Sequence, residues 1–155
     1  MNDYIKEYTD YDELKDFCEK TWGDYIRELD NFTITQLLCI QSHGLKINTW
    51  LDNPIIEKYH EEIPKFPPVP FDVVVYRGGD MKIPNRPFLS TSFFKETAFK
   101  KFANNKKKKL HKIIIRKGSC VVPVLYLFEP GSFAEQEVVL DVSRLHRKIG
   151  YYEYY

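Results

Sequence analysis

A cluster of prolines in the middle of the chain separates two parts with different hydrophobic periods. The cluster consists of Pro64, Pro67, Pro68 and Pro70. Proline interrupts a helix because its ring removes a backbone donor and clashes with the preceding turn. Before the cluster, apolar residues recur every three or four positions, as on one face of a helix. After it, the apolar runs are short and strand-like. We therefore predict an α+β fold, with a helical part over residues 1–65 and a β-rich part over 69–155.

The helical part is expected to contain four helices. The first carries the apolar stripe Leu14, Phe17, Cys18, Trp22, Tyr25, Ile26 and Leu29. Others are predicted over residues 34–41 and 47–51, and from Pro54 to about Glu62, because proline is favoured in a first turn.

The β-rich part is expected to contain five strands. They are predicted over residues 73–76, 88–91, 112–116, 121–128 and 137–142, from their apolar runs and the turn residues between them. A helix over residues 95–102 should follow the second strand, with Ser92 as its cap. We find no repeat, and 155 residues are most simply one domain, spanning 1–155.

Composition narrows the function classes. A hydrophobic content of 43% and an aromatic content of 15% indicate a folded globule. The formal net charge of +1 gives no global electrostatic case for nucleic acid or an anionic membrane as partner. No apolar run approaches the ~20 residues of a membrane span, and the N-terminus lacks the apolar core of a signal peptide. The three cysteines fit neither a disulfide framework nor a zinc pattern, and no metal is expected.

Three polar motifs lie at the ends of strand-like apolar runs in the second half of the chain. They are Arg77 with Gly78, the hydroxyl run Ser90-Thr91-Ser92, and Glu135-Gln136-Glu137. An arginine forks onto phosphate oxygens, hydroxyls bridge a sugar to an acid, and two carboxylates one residue apart project the same way from an extended backbone. Each motif alone fits a surface ion pair, a helix cap or a solvated strand. Together they predict a cleft that holds a dinucleotide and breaks a bond at a sugar carbon.

The order of these motifs and the residues in them resemble those of a known enzyme class. The chain reads Val75-Tyr76-Arg77-Gly78, then Phe88-Leu89-Ser90-Thr91-Ser92, then Glu135-Gln136-Glu137 before an apolar run, and earlier Ile47-Asn48-x-x-Leu51. This is similar to the arginine–serine–glutamate class of NAD-dependent mono-ADP-ribosyltransferases, which includes cholera-like and binary-toxin-like proteins and ecto-enzymes. The resemblance covers roughly residues 22 to 142.

The resemblance implies a role for each motif residue. Arg77, Ser90, Glu135 and Glu137 would be catalytic, and NAD would be the co-substrate, without a metal. Contacts to NAD would come from Arg77, Gly78, Ser90, Thr91, Asn48 and Glu137.

The acceptor would contact Phe133 and Glu135, and a glutamate at position 135 goes with arginine as acceptor in this class. Two alternatives stay open: a NAD glycohydrolase, and a non-catalytic NAD-binding module on the same fold. Transfer to a nucleic acid has only the lysine run 106–109 in its favour. Localisation stays open between a cytosol and delivery into a host cytosol.

Overall fold

The computed structural model describes residues 4–43, 54–79, 81, 87–102, 109–127 and 136–155. Its first part is helical, as the apolar period predicts. After a short strand β1 (Ile5–Lys6), the helices are α1 (Tyr11–Cys18), α2 (Asp24–Arg27), α3 (Asn31–His43) and α4 (Pro54–Glu62). A π-helical turn, Glu19–Gly23, joins α1 to α2, and a 3₁₀ turn, Ile63–Lys65, follows α4. The predicted helix over 47–51 lies outside the described residues.

The second part contributes six further strands within the described ranges. They are β2 (Asp72–Gly78), β3 (Phe88–Ser92), β4 (Leu110–Ile115), β5 (Glu137–Asp141), β6 (Leu145–Arg147) and β7 (Tyr152–Tyr154). Two short helices lie between them: α5 (Lys95–Thr97), continued by a π-helical turn over Ala98–Phe102, and α6 (Val124–Leu127). A mixed sheet joins the strands in the order β5-β3-β2-β4-β7-β6, with β1 parallel to β2. The α+β class is confirmed.

The core lies between the helices and one face of the sheet. Trp22 illustrates the packing: it is fully buried, and its indole N–H donates to the carbonyl of Pro67 at 3.0 Å. This bond ties the first helical segment to the proline-rich connection. A smaller cluster of Val74, Tyr76 and Ala98 covers the opposite face of β2. The central strands are therefore buried on both faces, which explains their continuous apolar runs.

The predicted strand over residues 121–128 is wrong for most of its described length. Val122 forms only an isolated bridge with Val139, and residues 124–127 are the helix α6. Val121, Val122, Val124 and Leu125 are all buried. An apolar run that is buried on every side has no period to distinguish helix from strand. Pro123, directly before the helix, is compatible with a helix start and ends the β pairing.

The predicted cap of the next helix is also corrected. The residue at the N-cap of α5 is Phe94, and it makes no side-chain cap bond. Ser92 lies two residues earlier, at the end of β3, and its hydroxyl accepts from the Phe94 N–H at 3.2 Å. The serine oxygen therefore stabilises the turn between strand and helix, not the first turn of the helix.

The C-terminal tyrosine-rich segment forms a strand that the sequence pattern did not predict. β7 runs parallel to β4, with Ile113 opposite Tyr152 and Ile115 opposite Tyr154. Arg116, at the end of β4, binds two carboxylates: Asp72 at 2.8 Å and Glu153 at 2.9 Å. These hydrogen bonds hold the pKa of Glu153 below its ordinary value. The guanidinium therefore joins β2, β4 and β7 at one end of the sheet.

We expect Arg116→Met to lower the free energy of unfolding by about 1–2 kcal/mol at neutral pH, because it removes a partly exposed, two-partner ion pair. Because the pKa of Glu153 is lower in the folded state, its ion pair stabilises the fold at pH values above the ordinary carboxyl pKa of 4.5. This stabilisation is lost as the pH falls below 4.5 and Glu153 becomes protonated. The difference between wild type and variant in urea titrations should therefore shrink below that pH. Lys117→Met, at the exposed neighbouring position, is the control and should stay within about 0.5 kcal/mol of wild type. Equal midpoints for both variants would contradict the assignment.

Candidate active site

The arginine of the first motif lies where β2 and β3 meet. Tyr76 is opposite Ser92 in their antiparallel pairing, and Arg77 follows directly. The Arg77 guanidinium Nη1 donates to the backbone carbonyl of Ser90 at 3.0 Å. The arginine side chain is half-buried and is oriented by the strand that carries the serine. The positively charged Arg77 guanidinium is thus held beside the Ser90-Thr91-Ser92 segment.

A glycine turn follows this arginine. Gly78 ends β2, and Gly79 has φ of 101°, a conformation that only glycine adopts without strain. The Gly79 N–H donates to the Lys109 carbonyl at 2.8 Å, and its own carbonyl lies 3.0 Å from His111 Nε2. His111 is also opposite Arg77 in the β2–β4 register. The turn is therefore fixed by β4 and the residue before it.

The serine and the second glutamate are brought together by the pairing of β3 with β5. Ser92 is opposite Glu137 and Ser90 is opposite Val139, so the side chains of Ser90 and Glu137 project from one face. The Ser90 hydroxyl donates a short hydrogen bond to Glu137 Oε2. Glu137 is only 4% exposed. A buried carboxylate is costly unless it is hydrogen-bonded, and here the serine supplies a bond.

The residue directly before this glutamate has an unusual backbone. Gln136 has φ of 48°, a left-handed conformation uncommon for a residue with a side chain. Its side-chain oxygen accepts from the Thr97 hydroxyl at 2.6 Å, and its carbonyl accepts from the Phe93 N–H at 3.0 Å. The segment after β3 therefore holds Gln136 in place, and this sets the direction in which β5 begins.

The hydroxyl of Thr91 makes a contact with β5 of its own. It alternates with Ser90 and Ser92 along β3, so its side chain projects from the other face of the strand. Its hydroxyl donates to the Val138 carbonyl at 2.8 Å, and the residue is 1% exposed. The Thr91 hydroxyl thus cross-links β3 to β5. Three further expected site residues, Asn48, Phe133 and Glu135, lie outside the described residues.

The arrangement defines what the site can do chemically. A guanidinium offers several N–H donors for phosphate oxygens, and a hydrogen-bonded carboxylate offers negative charge to a cationic centre. Burial strengthens both interactions because the effective dielectric constant is low. Within the described part of the chain, no group of three His, Cys, Asp or Glu side chains is placed to hold a metal ion. No helix there is long and apolar enough to cross a bilayer.

Two histidines that belong to no sequence motif contact β3, β5 and the glycine turn. His111 supports the glycine turn, as described above. His60, in α4, packs its ring on Phe88 with centroids 4.7 Å apart, and its Nδ1 lies 3.5 Å from Asp141 Oδ2. These contacts join residues far apart in the chain. They arise from the packing of α4 and β4 against neighbouring elements, which no local motif signals.

Comparison with known proteins identifies the class of fold. No protein-family model and no curated protein sequence matches the chain. Among solved structures it is similar to Plx2a, an ADP-ribosyltransferase toxin from Paenibacillus larvae, with a TM-score of 0.63 and 19% identity over 89% of this chain and 86% of the toxin.

Two other solved structures show the same likeness. BECa, the ADP-ribosylating component of a C. perfringens binary enterotoxin, gives a TM-score of 0.60 and 19% identity over 88% of this chain and 42% of BECa. The C3 exoenzyme of Clostridium limosum gives 0.59 and 15% identity over 98% and 96% of the two chains. The chain therefore has the fold of the ADP-ribosyltransferase toxins, as its motifs predicted.

The left-handed backbone before Glu137 leads to a test. Gln136→Val places a β-branched side chain at a positive φ, whereas Gln136→Gly removes the same side-chain hydrogen bond without that strain. We expect the glycine variant to be more stable than the valine variant by about 1–2 kcal/mol in urea denaturation. If the two variants unfold at the same urea concentration, the backbone conformation at this position contributes nothing.

Proposed function

We propose that this protein is a NAD-dependent mono-ADP-ribosyltransferase that transfers ADP-ribose to an acceptor and releases nicotinamide. The observation that carries the proposal is the hydrogen-bonded Ser90–Glu137 pair beside Arg77, at the meeting point of three neighbouring strands. The fold supports it, because Plx2a is an ADP-ribosyltransferase toxin and BECa is an ADP-ribosylating toxin. BECa was solved with NADH, which supports a nicotinamide dinucleotide as ligand of this fold.

Arg77 and the glycine turn would hold the dinucleotide. The guanidinium carries several N–H donors in a planar fork, which suits phosphate oxygens better than a lysine would. Its anchoring to the Ser90 carbonyl restricts its rotamers, so less entropy is lost on binding. The backbone of Gly78 would bind the nicotinamide amide, since no side chain there blocks the approach.

Glu137 would stabilise the charge that develops in the reaction. When the bond between nicotinamide and ribose breaks, nicotinamide leaves with the bonding electrons and positive charge develops on the ribose carbon and ring oxygen. A carboxylate aimed at that charge lowers the barrier, as carboxylates do at other sugar centres. The Ser90 hydroxyl would keep the Glu137 carboxylate oriented, so no reorganisation is needed during bond opening.

The acceptor is proposed to be a protein arginine. This rests on Glu135, which precedes Glu137 by two residues, and on the association of such an acid with arginine acceptors in the enzyme class that the motifs resemble. Glu135 would take the proton that the guanidinium nitrogen loses as it bonds to the ribose carbon. Phe133 would contact the target protein. With water as acceptor, the same site would hydrolyse NAD.

The central test is Glu137→Gln. An amide has the same shape and still accepts a bond from Ser90, but it carries no charge. We expect nicotinamide release from NAD to fall by ~10²–10³ while the thermal midpoint changes little. Glu13→Gln, on the surface of α1, is the matched control and should keep wild-type activity. Release by the Glu137 variant within a few-fold of wild type would overturn the proposed function.

A second variant separates transfer from hydrolysis. Glu135→Gln should suppress transfer to an arginine-containing acceptor far more than it suppresses NAD hydrolysis. Bond opening needs Glu137, whereas capture by a guanidinium also needs a base at the acceptor; water, being small and mobile, still intercepts the cation. Modified acceptor and free ADP-ribose should be measured in one preparation. A parallel fall of both products would contradict the arginine proposal.

A further inference from the structure

A buried tyrosine in α4 has an unsatisfied hydroxyl near the site. Tyr59 is 1% exposed, and its hydroxyl has no hydrogen-bond partner among the described residues. Such groups are rare, because burying a hydroxyl without a partner destabilises the folded state. A phenylalanine at this position would fill nearly the same space without that cost. The hydroxyl therefore calls for an explanation outside folding stability.

The ring contacts place Tyr59 over the strand face that carries the proposed catalytic pair. Its ring packs on Phe88, the first residue of β3, with centroids 4.7 Å apart. Phe88 and Ser90 project from the same face of β3, about 7 Å apart along the strand. The next helical residue, His60, reaches Asp141 at the end of β5. Helix α4 thus spans both strands that carry Ser90 and Glu137.

The electrostatics agree with this placement. Burial, and after it the negative charge of Glu137, raise the pKa of Tyr59 well above its ordinary value. The phenol therefore stays protonated at neutral pH. It is a buried neutral donor, and the Glu137 carboxylate whose charge acts on it offers about four lone-pair positions, one of which accepts from Ser90.

We propose that Tyr59 is a positioning residue whose hydroxyl donates to the Glu137 carboxylate in the reacting complex. This inference rests on the proposed function. Ser90 holds the Glu137 carboxylate from β3, and Tyr59 would hold it from the helical layer, so that the acid approaches the ribose in one orientation. When the Glu137 side chain rotates toward its substrate, the Tyr59 hydroxyl would form this hydrogen bond. The unpaired hydroxyl is thus kept for a state that binding creates.

The test is Tyr59→Phe, measured in the full chain for both stability and steady-state kinetics. We expect the thermal midpoint to stay the same or rise by about 2–5 °C, because an unsatisfied buried hydroxyl is removed. The kcat for nicotinamide release should fall about 10–100-fold, and KM for NAD should stay within about twofold, because the bond forms only as the reaction proceeds.

Tyr154→Phe is the matched control. Tyr154 is also fully buried, but its hydroxyl donates to the Cys120 carbonyl at 2.9 Å and accepts from the Asp141 N–H at 3.2 Å. Its removal should lower the thermal midpoint and leave kcat within about twofold of wild type. The two variants should therefore differ in both measurements: Tyr59→Phe lowers kcat without loss of stability, and Tyr154→Phe lowers stability without loss of kcat.

The outcomes separate this inference from the function on which it rests. If wild type releases nicotinamide, Glu137→Gln does not, and Tyr59→Phe equals wild type in kcat, the inference fails and the function stands. A lower thermal midpoint with unchanged kcat would make Tyr59 a packing residue, and a change confined to KM would make it a substrate contact; both overturn the inference. If wild type releases no nicotinamide, the proposed function falls and the inference falls with it.

Discussion

The antiparallel register of β3 and β5 is the constraint on which the site depends. Ser92 opposite Glu137 places the Ser90 hydroxyl diagonally across from the same carboxylate. A slip of one residue would turn Glu137 to the other face of the strand, which Val138 and Leu140 occupy. On that face the ionised carboxylate would lie among apolar side chains without the serine hydrogen bond, which would destabilise the fold. The apolar residues of β5 therefore specify the position of the acid as well as the core.

The same register explains why polar residues with special geometry gather around one strand end. Gln136 takes a left-handed backbone so that β5 can begin at Glu137, and Thr97 and Phe93 hold it from the segment after β3. On the far side of β2, the Gly79 turn is held by β4. A strained backbone or a buried polar group persists only where several surrounding contacts hold it in place. Here two neighbouring strands and the segment after one of them supply that constraint.

Much of this fold could be predicted from the sequence, for reasons that particular residues make clear. The proline cluster marks the change from helix to strand, and the strands that carry Arg77 and Ser90 were predicted at nearly their observed positions. The run over 121–128 was misassigned because burial on all sides leaves no period. The strands β1, β6 and β7 were not predicted because each has only two or three residues. Such strands form through partners far away in the chain, such as Ile113 for Tyr152.

Some residues of the candidate site can be recognised from the local sequence, and others only from contacts between distant parts of the chain. Arg77, Ser90 and Glu137 were selected from the sequence because each belongs to a motif at a strand end, and the structure places both Arg77 and Glu137 in hydrogen-bonding contact with Ser90. Thr91 shares such a motif, yet alternation along β3 turns it to the opposite face, where it bonds the Val138 carbonyl. Tyr59 belongs to no motif, and its relation to Glu137 exists only because α4 packs on Phe88. A local motif therefore selects the candidate groups of a site, whereas contacts between the helical layer and the sheet are found only through packing, as unsatisfied or strained residues around that site.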